Sequence, residues 1–226
     1  MAHLLAGDIG GTKTALSLYE FGDGAELREV AAARYPSADF SGLTPLVREF
    51  LRAHTGAPSL STLRAAGFGV AGPVEHGICK TTNLPWVLDQ RQLSENFGAP
   101  AGLINDFHAV ALGVGELYPS ELEVLQQGEV DPRGPIAIIG AGTGLGQAIL
   151  VPTDSGTPVV VPTEGGHADF APRNEVEIDV LRWLWKRHSR VSIERVVSGL
   201  GIKNLYDFVT QTGLHPESPA VRAEME

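Results

Sequence analysis

Apolar residues fall into short runs separated by glycine-rich breaks. Residues 4–8 are an apolar run that stops at Gly10-Gly11, and residues 14–21 then alternate small or polar with apolar side chains (Thr14, Leu16, Ser17, Leu18). That period of two predicts strands, not helices. Gly22-Asp23-Gly24 marks a turn and residues 26–35 give a third strand, so the chain opens as an antiparallel meander. The period changes at Leu43. Leu43, Leu46, Val47, Phe50 and Leu51 share one helical face, which predicts a helix over 43–54. Residues 65–71 form a strand of small residues ending at Gly72-Pro73. A helix over 89–97 follows, with Asp89 as its N-cap. A short strand at 101–105 runs directly into an Ala/Val/Leu helix over 106–117.

A second block starts near Glu121. Strands at 135–140 and 147–151 flank Ala141-Gly-Thr-Gly-Leu-Gly146, repeating the opening arrangement of strand, Gly/Thr turn and strand. Two copies of one hairpin suggest two related halves. Residues 173–188 predict a strong helix, capped by Asn174 with Glu177 and lined by Val176, Val180, Leu181 and Leu184. Another helix is expected over 200–210, and the tail 216–226 is polar, with no closing strand expected.

Composition narrows the class. Hydrophobic residues are 43 % and charged residues 19 %, which supplies a core and excludes a disordered chain. The net charge of −10 argues against a nucleic-acid partner but not against a phosphorylated ligand, which amides and a metal can hold. A single cysteine, Cys79, excludes an internal disulfide and fits a reducing compartment. The first apolar residues meet Asp8 too early for a signal peptide, and no window has the apolar length of a membrane span.

The glycines cluster where chemistry is to be sought. Gly7-Asp-Ile-Gly-Gly-Thr-Lys-Thr14 nearly matches the phosphate-binding pattern G-x-x-x-x-G-K-S/T. It departs at Thr12, and a strand follows where that pattern needs a helix. Gly140-Ala-Gly-Thr-Gly-Leu-Gly146 misses the dinucleotide fingerprint in spacing and also leads into a strand. Each loop therefore reads as a Gly/Thr hairpin whose amides and hydroxyl can surround an oxyanion without a helix dipole. Asp8 cannot hold a phosphate but can hold Mg²⁺, which bridges phosphates. One such loop is equally a tight hairpin with glycine at positive φ; two together, one bearing an aspartate, favour the phosphate reading. Lys13 lies in the strand after its loop, and its role stays open.

Residues 7–12 resemble the first phosphate motif of the superfamily of sugar kinases, heat-shock chaperones and actin, and residues 140–146 resemble its second. Further segments are similar to bacterial glucokinases of the hexokinase-like, non-ROK type. They are Ala71-Gly-Pro-Val-Glu75 running to Thr82-Asn-Leu-Pro-Trp86, Leu103-Ile-Asn-Asp-Phe107, Glu164-Gly-Gly-His-Ala-Asp-Phe-Ala-Pro172 and Glu194-Arg-Val-Val-Ser-Gly199. They run in family order over residues 7 to 207, and together are far more specific than any one alone. The ROK relatives carry a Cys-rich zinc motif, which one cysteine cannot build.

This resemblance implies a ribonuclease-H-like (actin-like ATPase) α/β fold with a central mixed sheet in each of two domains, 1–105 and 106–226. It implies ATP-dependent phosphorylation of glucose at its 6-hydroxyl, with ATP and Mg²⁺ as cofactors. Gly7, Asp8, Ile9, Gly10, Gly11 and Thr12 would hold the nucleotide together with Gly142, Thr143 and Gly144, and Asp8 would hold Mg²⁺ through the ATP. Asp106 would take the proton from the 6-hydroxyl. Asn105, Glu164, His167 and Glu194 would bind the other hydroxyls, with Asn83 assisting, and the two halves would close on the sugar. A cytoplasmic enzyme, homodimeric when complete, is implied, as is C-terminal incompleteness, since such proteins continue well beyond the point matching Glu226. Blander readings stand beside these. Asp106 reads as a helix N-cap, Glu194 as a solvated carboxylate, Trp183 and Trp185 as helix packing, and residues 186–190 as a solvated basic helix end. Other possibilities remain a kinase for another hexose or amino sugar, a polyphosphate donor, or a non-catalytic sugar sensor. A chaperone- or actin-like ATPase would have no use for Glu164-Gly-Gly-His167 with Glu194.

Overall fold

The structure of the chain, a computed structural model, describes residues 2–21, 27–54, 63–81 and 84–225. The turn expected at Gly22–Gly24 and the site residue Asn83 lie outside the described residues. Two compact units divide at Val114/Gly115, Met1–Val114 and Gly115–Glu226.

The first unit contains β1 (Ala2–Ile9), β2 (Lys13–Phe21), β3 (Arg28–Pro36), α1 (Leu43–Ala53), β4 (Leu63–Val70), β5 (Ile78–Lys80), β6 (Val87–Asp89), α2 (Gln90–Phe97), β7 (Ala101–Asn105) and α3 (Asp106–Gly113). Its main sheet has the order β3-β2-β1-β4-β7. The first three strands form the expected antiparallel meander, and β1, β4 and β7 run parallel, giving a mixed sheet. Alternation along the strands sends Leu5, Ile9, Leu16, Leu18, Phe68 and Val70 to one face, where they pack with Leu46, Val47 and Phe50 of α1. Phe50 is fully buried, and truncating it to alanine would cost about 3–5 kcal/mol. Asp89 caps α2 as expected, accepting from the amides of Arg91 and Gln92 at 2.8 and 3.3 Å, and Gly98 ends it at φ 63°. The expected boundary after Asn105 falls between β7 and α3, but α3 packs on β4 and β7 and goes with the first unit. Across the opposite face of the sheet runs a row of small residues, Ser17, Ala6, Gly67 and Gly102. They leave a recess of about 430 Å³ bordered by Asp8.

The second unit contains β8 (Ile136–Ala141), β9 (Leu145–Val151), β10 (Val159–Thr163), α4 (Glu175–Trp185), α5 (Gly199–Gln211) and α6 (Pro219–Met225). Its described strands pair only antiparallel, in the order β10-β9-β8, so the mixed arrangement belongs to the first unit. Asn174 caps α4, accepting from the Glu177 amide at 2.9 Å, while Glu177 accepts from the Arg173 amide at 2.7 Å. Val180, Trp183, Leu184, Val191 and Phe208 form the core, with the Trp183 and Phe208 rings edge to face at 6.0 Å. Trp183 is packing, as expected; Trp185 is not, being 56 % exposed. The hairpin of β5 and β6, strand β10 and helix α6 were not predicted. β5 and β6 have three residues each, too few for a period. β10 contains Pro162, which an edge strand tolerates. α6 is anchored by Arg222, which donates to Asp207 and Glu217 at 2.7 Å. Among the described residues no helix is long and apolar enough to cross a membrane.

Candidate functional site

In the first unit, the carboxyl ends of the parallel strands gather the expected residues. Ile9, Val70 and Asn105 are register partners across β1, β4 and β7, so the segments that follow them emerge at one edge of the sheet. Ligands of open α/β sheets bind at this edge. The first glycine loop leaves β1 here. Its turn is closed by the Gly10 amide donating to the Lys13 carbonyl at 3.0 Å, and a Cβ at Gly10 would approach that oxygen to 2.8 Å. Among the described residues nothing accepts from the amides of Gly11 and Thr12. Gly7 and Ile9 contribute differently: a Cβ on Gly7 would meet the Phe68 ring at 2.6 Å, and the Ile9 side chain is buried in the core.

Asn105, not Asp106, is the N-cap of α3. Its Oδ1 accepts from the amides of Phe107 and His108 at 3.0 and 3.2 Å, and its Nδ2 donates to the Gly72 carbonyl at 3.2 Å. Gly72 takes φ 138°, with Cys79 Sγ 3.6 Å from where a Cβ would stand, so a side chain there would be strained. Asp106 is the first residue of the helix; among the described residues it accepts only from the Phe107 amide, at 2.8 Å, and the N-cap position expected of it is held by Asn105. Asp8 borders the same edge. Burial first, then the charge of Asp106, push its carboxyl above its ordinary value, while Arg34 pulls it down. A cation would relieve this like-charge pair, and Mg²⁺ fits a lone carboxylate because the phosphates of its ligand complete its shell. Among the described residues no group of three or more His, Cys, Asp or Glu side chains could hold a metal alone.

In the second unit, the second glycine loop joins β8 to β9. Two short 3₁₀ turns, Gly165–His167 and Ile193–Arg195, flank it. Their segments are stapled by Ile193 donating to the Ala168 carbonyl at 2.8 Å and Phe170 to the Val191 carbonyl at 3.0 Å. Glu194 Oε2 accepts from the Leu145 amide at 3.0 Å, and a Cβ on Gly144 would meet that oxygen at 2.6 Å. The Gly199 amide, at the start of α5, donates to the Gly142 carbonyl at 2.8 Å. His167 Nδ1 lies 3.4 Å from Glu164 Oε2, and its Nε2 lies 3.7 Å from Glu194 Oε1. Glu164, His167 and Glu194 thus form one polar cluster. The Glu194 side chain is 23 % exposed and held by the loop, so its blander reading as a solvated carboxylate does not describe it.

Three further residues support the site. Arg190 lies in the basic stretch 186–190 that reads as a solvated helix end, yet it donates to Asp169 at 2.6 Å and to the His167 carbonyl at 2.8 Å, holding the histidine turn. Gln147 fills the space over Gly165, where a Cβ would lie 1.9 Å from its Oε1. Ser198 caps α5, accepting from the Gly201 amide at 3.0 Å, and donates to the Glu194 carbonyl at 2.7 Å. Ser198 was legible as a residue opening a helix; the other two act across sequence gaps that no local signal reveals.

The glucokinase family profile matches residues 5–224. The chain belongs to the glucokinase family. It is 47 % identical to a glucokinase of Nostoc punctiforme over 98 % of its own length and spans 64 % of the length of that protein. A crystal structure of a glucokinase from an Antarctic psychrotroph superposes with TM-score 0.79 at 32 % identity, over 96 % of this chain and 67 % of that one. A Balamuthia mandrillaris glucokinase crystallised with glucose shares the fold, with TM-score 0.62 at 21 % identity, over 96 % of this chain and 64 % of that one. The actin-like ATPase fold expected from the motifs is the one these relatives have.

Proposed function

We propose that the chain carries the sugar- and phosphate-binding machinery of an ATP-dependent glucose 6-kinase. The observation that carries this reading is the cluster of Glu164, His167 and Glu194 tied through Leu145 to the second glycine loop. A hexose needs fixed polar partners around its ring, and a phosphoryl donor needs amides beside them. Glu164, His167, Glu194 and Asn105 bind sugar hydroxyls, and Asn83 joins them on the strength of the resemblance. Asp106 accepts the proton of the 6-hydroxyl as it attacks the γ-phosphate. The amides of the two glycine loops hold the ATP phosphates, and Asp8 holds Mg²⁺. The metal supplies neutralisation of phosphate charge. A cytoplasmic setting is supported by the unpaired, buried Cys79; homodimeric assembly rests on the family resemblance.

The deciding experiment is a coupled hexose 6-phosphate assay on this chain with Mg-ATP and a panel of hexoses, beside glucose calorimetry. Glucose-dependent turnover establishes the kinase. Glucose binding without turnover in this chain and in a version extended to the length of the relatives leaves a sensor. Absence of both in folded protein overturns the reading.

A further inference from the structure

The first glycine loop rests on a buried polar pair that hairpin geometry does not require. Thr14 and Ser37 are both fully buried. Ser37 opens a short 3₁₀ turn after β3 and reaches back 27 positions to the loop. Its Oγ donates to the Gly10 carbonyl at 2.9 Å and lies 2.9 Å from Thr14 Oγ1, and its amide donates to the Thr12 carbonyl at 3.0 Å. The turn is already closed by Gly10 and Lys13. Burying two more hydroxyls is costly unless they pair, so their placement here has a directed effect.

That effect follows from planarity. In a trans peptide the carbonyl and the next residue's N–H point in opposite directions. Holding the Gly10 oxygen inward turns the Gly11 N–H outward, and holding the Thr12 oxygen inward does the same for Lys13. We infer that Ser37, backed by Thr14, is the positioning residue of the first glycine loop, presenting the Gly11 and Lys13 amides to the phosphate oxyanion of a magnesium nucleotide. The inference rests on the phosphate reading of that loop.

The test uses this chain with Ser37→Ala, Thr14→Val and the conservative Thr14→Ser, and with Leu46→Val as an apolar core control that makes no hydrogen bond to the loop through its side chain. Amide exchange needs no activity. Gly10 exchange is expected to rise about tenfold in Ser37→Ala, the loss of one buried hydrogen bond, while β4 and β7 amides stay unchanged and Thr14→Ser behaves as the parent. Unaltered Gly10 protection, or a rise spread evenly over the sheet, overturns the inference. By calorimetry, Mg-ATP affinity is expected to fall about tenfold in Ser37→Ala and Thr14→Val, with glucose affinity unchanged. Leu46→Val is expected to lower the unfolding temperature without that selectivity. Equal losses for both ligands, or parental Mg-ATP affinity in Ser37→Ala, overturn the role of Ser37 alone. A parent chain that binds no Mg-ATP overturns the phosphate reading, and this inference with it.

Discussion

The Glu194 carboxylate accepts the amide hydrogen of Leu145 at 3.0 Å across 49 positions of sequence. Its other oxygen lies 3.7 Å from His167 Nε2. One side chain thus anchors the second glycine loop and lies in the polar cluster.

That double role separates two substitutions. Glu194→Ala leaves the Leu145 amide without its acceptor and is expected to cost about 1–3 kcal/mol in urea unfolding, with loss of hexose binding. Glu194→Gln keeps an acceptor for the amide but removes the charge beside His167. Its stability should stay near the parent's while hexose affinity, read by calorimetry, falls about tenfold. Equal stability for both variants would show that the loop is held from α5 alone.

Asp106 has no capping duty, so neutralising it should leave α3 intact. Asp106→Asn is expected to lower kcat at least about 10²-fold while hexose binding survives in part. The measurement is steady-state kinetics beside a glucose titration. Near-parental turnover would remove Asp106 from the proton-transfer role.

Asp8 gives a pH-dependent prediction. Its carboxyl is raised by burial and by Asp106, so the folded state disfavours its ionised form. Relative stability is therefore full below the unfolded carboxylate value and is lost as pH rises through the higher folded value. Asp8→Asn should unfold at a higher temperature than the parent at pH 7, and the gap should close in acid, where the Asp8 carboxyl is protonated in the folded and unfolded states alike. Melting curves across pH check this. Added Mg²⁺ should narrow the gap at neutral pH by stabilising the parent alone.

Arg190 ties Asp169 to the His167 carbonyl, but the Arg190 and Asp169 side chains are 65 % and 75 % exposed. Exposed ion pairs contribute little to stability. Arg190→Ala is accordingly expected to leave the melting temperature unchanged and to weaken hexose binding by less than about tenfold. An unchanged affinity would mean that the turn is held by its own bond, from the His167 amide to the Glu164 carbonyl at 2.9 Å.

The elements legible in sequence were those with a sustained period or a local cap. The five apolar positions of α1, the alternation of β2 and the Asp89 and Asn174 caps were read correctly because each signal lies within a few residues of its effect. The capping duty at the β7–α3 junction went to the wrong neighbour, since two adjacent residues, Asn105 and Asp106, both qualify and only backbone direction decides. Site residues were named through motif resemblance; what the motifs left out is their support. Ser37, Gln147 and Arg190 act over gaps of 18 to 27 positions, and carry no pattern of their own.

Apart from the Thr12 and Thr143 hydroxyls, the donors that the two glycine loops offer belong to the main chain. A scan that replaces side chains with alanine passes over such groups, because every residue keeps its amide. The loops respond instead to the addition of a methyl group, and unevenly. Gly142 has open space around it, whereas a Cβ on Gly144 would collide with Glu194 and one on Gly10 with the Lys13 carbonyl. A methyl group at Gly142 therefore meets no neighbour, while Gly144 and Gly10 are locked by theirs. Any effort to reshape these turns must therefore work through those neighbours, because a glycine offers no side chain to exchange.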